Sequence, residues 1–147
     1  MDEAAYEALR TGICSEPGGL VEIYIAGTSL EDWRSVVTVF SELSSSMLLT
    51  DAVTSSGTTF GPHLFEASDE VAYAMSATIG AQVWTTTFAQ EDRIDIQGDP
   101  RQMQSREEVK QVVELMRHLL HATGKQVMLV PETLSYESVR PFLTMVN

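Results

Sequence analysis

The chain has 147 residues, 44% of them hydrophobic and 20% charged, which is the size and composition of one globular domain and excludes general disorder. Its net charge of −12 argues against nucleic-acid binding, because phosphate recognition rests on Lys/Arg patches, and equally against an anionic membrane surface. Cys14 is the single cysteine, so no intramolecular disulfide can form.

Residues 2–11 read as a short helix with acids in its first turn, where they favour the helix dipole. The opening MDEAAYEALR lacks a basic and apolar leader, and no apolar run approaches the ~18 residues of a membrane-spanning helix. A cytoplasmic protein is the expectation. SEPGG at 15–19 marks a turn, and Leu20–Ile25 alternates as a half-buried strand, with Val21, Ile23 and Ile25 on one face and Glu22 and Tyr24 on the other.

Thr28 with Glu31 three residues on has the pattern of a capping box. Trp33, Val36, Val37, Phe40 and Leu43 then keep helical spacing, and Ser44–Ser46 ends that helix. Met47–Val53 and Thr58–Phe60 are expected as strands around an SSG turn. Ser68, Asp69 and Glu70 ahead of Val71, Met75 and Ile79 predict a helix, although the Val71/Tyr73/Met75 alternation also suits a strand.

Gln82–Phe88 and Arg93–Gln97, joined through AQED, carry the clearest hairpin signal. A second capping box, Ser105 with Glu108, opens a helix that buries Val109, Val112, Val113, Met116, Leu119 and Leu120 and stops near Gly124. Gln126–Val130 reads as a buried strand, and Ser135 to about Val146 as an amphipathic segment interrupted by Pro141. The stretch from Arg93 through Glu132 has the strand–helix–strand order of many small bacterial proteins, an architecture without functional content. The fold expected is α+β over residues 1–147 as one domain. It has a largely antiparallel or mixed sheet of about five strands and two main amphipathic helices packed on one face.

No nucleophile elbow, P-loop, dinucleotide fingerprint, H-E-x-x-H or EF-hand loop is present. Glu114, His118 and His121, at i, i+4 and i+7, share one side of a helix and could offer three ligands to a divalent metal. Lys110 and Arg117 lie on that same side and repel a cation, so a solvated helix face is the expectation, with no metal and no cofactor. His63 stands in an irregular loop, Asp92, Asp95 and Asp99 crowd the second hairpin strand, and Cys14 has no base beside it.

Charge distribution is the remaining signal. Residues 1–70 carry 12 acids against Arg10 and Arg34, while residues 71–147 carry nine acids against seven bases. A field of one sign steers a partner of the other. The expected function is a small acidic protein-binding or inhibitory domain that neutralises a basic protein, as bacterial immunity proteins do with toxins. Glu31, Asp32, Glu42, Asp51, Glu66, Asp69 and Glu70 form its expected binding face. The alternatives are an enzyme using an acid/base or metal site among the residues above, and a structural subunit that assembles with itself through an edge strand.

Overall fold

A computed structural model describes residues 1–15, 19–66, 72–133 and 135–147. Among these, three α-helices and seven strands run in the order α1 (Glu3–Cys14), β1 (Val21–Ala26), α2 (Leu30–Leu43), β2 (Ser46–Asp51), β3 (Tyr73–Ile79), β4 (Gln82–Thr87), β5 (Arg93–Gly98), α3 (Arg106–Thr123), β6 (Val127–Pro131) and β7 (Leu143–Met145). The strands form one antiparallel sheet in the order β2-β3-β4-β5-β1-β6-β7.

The α+β class and the antiparallel sheet agree with expectation, but the sheet has seven strands in place of about five, and the short helix expected at residues 2–11 runs to Cys14 as a third helix beside the two main ones. Where a helix was expected up to Ile79, β3 lies paired on both sides, to β2 and β4. Its alternation decides the matter, since Met75 and Ala77 are buried and Ser76 between them is not. The Ser68–Val71 part of that expected helix falls outside the described residues. No strand forms at Thr58–Phe60, only an isolated bridge between Thr50 and Gly57. The segment expected to be amphipathic after Ser135 makes turns and then the edge strand β7. Pro141 has no amide hydrogen and forces its predecessor out of the helical region, and the Phe142 amide starts the new pairing by donating to the Leu129 carbonyl at 2.8 Å.

The helices start where their caps dictate. In α2 the capping box is Ser29 with Asp32, one residue later than the Thr28–Glu31 pair expected from sequence. In α3 it is Ser105 with Glu108, and Gly124 closes the helix at a φ of 67°, a left-handed position that glycine adopts without strain. Their buried stripes (Trp33, Val36, Val37 and Phe40 of α2; Val109, Val112, Val113, Met116 and Leu119 of α3) share one core with Val21, Ile23, Ile25, Trp84, Ile94 and Ile96 from a single sheet face. The opposite face carries Glu22, Tyr24, Arg93, Asp95, Gln97 and Thr85, which sit in register across β1, β5 and β4.

Gly98 shows how tightly that core is filled. A Cβ there would stand 2.7 Å from the Trp84 ring and 2.8 Å from the Met103 methyl. Gly98→Ala is expected to lower stability by about 1–3 kcal/mol through overpacking, read as a lower urea midpoint at unchanged m-value.

Candidate functional site

Among the described residues, folding pairs four of the twelve acids that residues 1–70 carry, namely Glu3, Glu7, Glu31 and Asp32. Arg106 of α3 reaches Glu3 at 2.8 Å and Glu7 at 3.5 Å, Lys110 reaches Glu3 at 3.0 Å, and Arg10 pairs with Glu7 along α1. On α2, Glu31 pairs with Arg34 at 3.5 Å, and Asp32 pairs with Lys125 from beyond the end of α3. Such exposed pairs stabilise little individually, but they cancel charge where they occur.

The carboxylates without an ion-pair partner among the described residues include Glu66, Glu91 and Asp92, and these three line one open groove of about 680 Å³. Pro62, Phe65, Ala89 and Gln90 complete it. The β4–β5 tip that supplies Glu91 and Asp92 is held by three bonds to its main chain. Trp33 Nε1 donates to the Gln90 carbonyl at 3.0 Å, Thr28 Oγ1 to that of Glu91 at 2.6 Å, and the Thr28 amide to that of Asp92 at 3.1 Å. Phe65 is fixed from below, edge-on to Trp33 at 5.5 Å and to Phe88 at 5.7 Å.

A second polar site lies on the helix-free face of the sheet. Glu22, Arg93, Asp95 and Gln97 line a cavity of about 460 Å³, closed by Glu132, Thr133 and Tyr136 from the segment after β6. Glu22 is only 3% exposed. The Tyr136 hydroxyl donates to Glu22 and lies 3.3 Å from Asp95 Oδ2. The Tyr136 ring stacks on Tyr24 with centroids 3.8 Å apart and planes 2° from parallel, and the Arg93 guanidinium stands 5.8 Å from its centre. Burial pushes the Glu22 carboxyl above its usual range; Tyr136 opposes this by hydrogen bonding, Asp95 adds to it, Gln97 opposes it, and Glu132 adds again. Burial, then the neighbouring Glu22 and Asp95, raise the Tyr136 phenol well above its usual range, so it stays a donor.

Of the expected binding face, Glu66 alone reaches the groove; Glu42 is exposed in the last turn of α2. Asp51 is nearly buried and does structural work, accepting from the Val53 amide at 2.9 Å and the Thr54 hydroxyl at 3.1 Å. Asp69 and Glu70 lie outside the described residues. Asp92, Asp95 and Asp99 do not act together, since Asp92 is in the hairpin tip, Asp95 is beside Glu22, and Asp99 caps the Pro100–Gln102 turn while bonding Arg101. Glu114 pairs with Arg117, His118 and His121 are exposed, and no group of three His, Cys, Asp or Glu among the described residues could hold a metal ion. His63 Nε2 lies 2.9 Å from Thr58 Oγ1 and its ring meets Tyr73 edge-on, which fixes the loop. Cys14 is half-buried at the end of α1.

Sequence reasoning missed the Glu22–Asp95–Tyr136 cluster. Alternation placed Glu22 and Asp95 away from the core, but nothing local signals that Tyr136, 114 residues after Glu22, covers that face.

Two outcomes follow from these contacts. Thr28→Val removes one donor from the hairpin tip and is expected to cost about 1 kcal/mol in urea unfolding, with faster amide exchange confined to residues 89–92 and their neighbours. The Val53 amide holds the Asp51 carboxyl below its usual range; burial opposes this, and smaller hydrogen bonds from Thr54 and Ala72 add to it. Its stabilisation is therefore complete above the unfolded-state value and is lost as pH falls through the folded one. Asp51→Asn should lower the thermal midpoint at neutral pH, and the gap from wild type should close on acidification.

No protein-family model, curated protein or solved structure matches the chain, so the reading of these sites rests on geometry and charge alone.

Proposed function

We propose that the chain is a small acidic protein-binding or inhibitory domain whose partner is a basic protein, captured at the groove of Glu66, Glu91 and Asp92. One observation carries this reading: the fold pairs the acids of α1 and the first turn of α2 but leaves these three together around a groove with a restrained rim. A concave site with one sign of charge focuses its field and raises the on-rate of an oppositely charged partner. Phe65 and Pro62 on the same wall supply apolar contact beside the charge, the mixture that protein interfaces use at their centre and rim. An immunity-type neutraliser of a basic toxin is the form of this function that the charge balance fits best.

The test is capture from cell extract at low and high salt, with bound proteins identified by mass spectrometry, followed by association kinetics with the protein recovered. A triple reversal of Glu66, Glu91 and Asp92 to lysine is expected to slow association by roughly tenfold or more, against less than about twofold for Glu137→Lys. Equal effects of the two, or capture that salt does not weaken, would remove the acidic groove as the binding site.

A further inference from the structure

We propose that Tyr136, lodged between the Glu22 and Asp95 carboxyls, is a proton-operated latch. The segment that carries it closes over the helix-free sheet face when the carboxyl pair holds one added proton, and releases when that proton leaves.

A phenol has one proton to donate, and Tyr136 Oη stands within reach of two carboxyl groups. With both ionised, the proton serves Glu22, and the contact with Asp95 Oδ2, at 3.3 Å, is long for an O–H···O bond. Two negative groups then flank one donor on a face where Glu22 is almost wholly out of water. With one more proton, on Glu22, the chain of donors is complete: Glu22 donates to Tyr136 Oη, and Tyr136 turns its own proton to Asp95. Both bonds then span from sheet to segment, and one charge is gone from the buried pair.

The charged and titratable groups around this pair come from every element packed on it. Tyr24 of β1 stacks on the phenol, and β5 contributes Arg93, the one cation lining the cavity among the described residues, together with Gln97. β6 presents Met128 opposite Tyr24 and Val130 opposite Glu22, both uncharged, and Glu132 follows at its end. The carboxyls outnumber the cation three to one here, which favours uptake of a proton. Burial acting on Glu22 works in the same direction.

The closed state therefore binds the proton more tightly than the open one. By linkage, closure is favoured at and below the ordinary carboxylate range and is lost as pH rises through the raised Glu22 value. Each unit by which the closed-state value exceeds the open one changes the closing equilibrium tenfold.

The ring-current shift that the stacked Tyr136 ring imposes on the Tyr24 ring protons, with centroids 3.8 Å apart, reads closure of the latch. Between about pH 4.5 and about pH 8 the open-to-closed ratio of wild type should rise by roughly tenfold, seen as movement of the Tyr24 ring signals toward unstacked values, while the α3 amides keep their protection from exchange. Glu22→Gln, a neutral isostere, should hold the Tyr24 signals at their stacked positions at both ends of the range, and Asp95→Asn should flatten the dependence in the same way. Tyr136→Phe should leave them at unstacked positions throughout. Tyr24 signals that are constant with pH in wild type, a pH dependence retained in both carboxamide variants, or wild-type shifts in Tyr136→Phe would each overturn the latch. The α3 amides report in every sample whether the variant has folded.

Discussion

The two-residue period of β1 is the constraint on which the rest depends. This strand lies between β5 and β6, and its odd-numbered residues Val21, Ile23 and Ile25 are fully buried against the helices. The same period turns Glu22 and Tyr24 to the other face, opposite Gln97 and Asp95 of β5. A slip of one residue would place Glu22 in the apolar core and expel three branched side chains from it, so burial fixes the register strongly. Because β5 alternates in the same way, with Ile94 and Ile96 inside, the core and the carboxyl cluster are set by one pairing.

The arrangement of charge depends on that packing. α1 lies against α3, which brings Glu3 and Glu7 to Arg106 and Lys110, groups about a hundred residues away in the chain. The acidic first half and near-neutral second half of the sequence are thus interleaved by the fold. Among the carboxylates without an ionic partner, Glu66, Glu91 and Asp92 meet at the β4–β5 tip, and Glu22, Asp95 and Glu132 meet on the helix-free sheet face. Acid that reads in the sequence as one broad face includes two small sites of different character, an open groove and a cavity built around the buried Glu22.

The elements legible in sequence are those whose signal is local. α2 and α3 announce themselves by apolar residues at helical spacing, by cap residues and, for α3, by the closing glycine. β4 and β5 announce themselves by threonines and alternating isoleucines. β3 was ambiguous because its small residues Ala74, Ser76 and Ala77 give period two little contrast, and two neighbouring strands resolve it. The chain after Ser135 misleads for another reason. Its apolar residues suit a helix, but Phe142 and Leu143 are taken by pairing with β6, and Tyr136 by a carboxylate on β1. Of the open groove, the sequence points to Glu66 as part of an acidic face, to Glu91 as a turn residue and to Asp92 in the turn and as one of three aspartates along the hairpin. Their convergence depends on Thr28 and Trp33, whose bonds to the hairpin tip cross about sixty residues.

Those bonds also determine what a change of charge at the groove can mean. Trp33 and Thr28 hold the tip by the main-chain carbonyls of Gln90, Glu91 and Asp92, and leave the side chains out of the anchoring. A substitution at Glu91 or Asp92 keeps the carbonyl and therefore keeps the anchor. It alters the field at the groove while the loop stays where it was, so its effect on binding is electrostatic and not a loss of shape. The Glu22 site is built the other way, from side-chain atoms on three segments, so that a substitution of Glu22, Asp95 or Tyr136 acts on the very groups that make the tether. The capture proposed for the groove is served by the first construction, and the proton response proposed for the closing segment by the second.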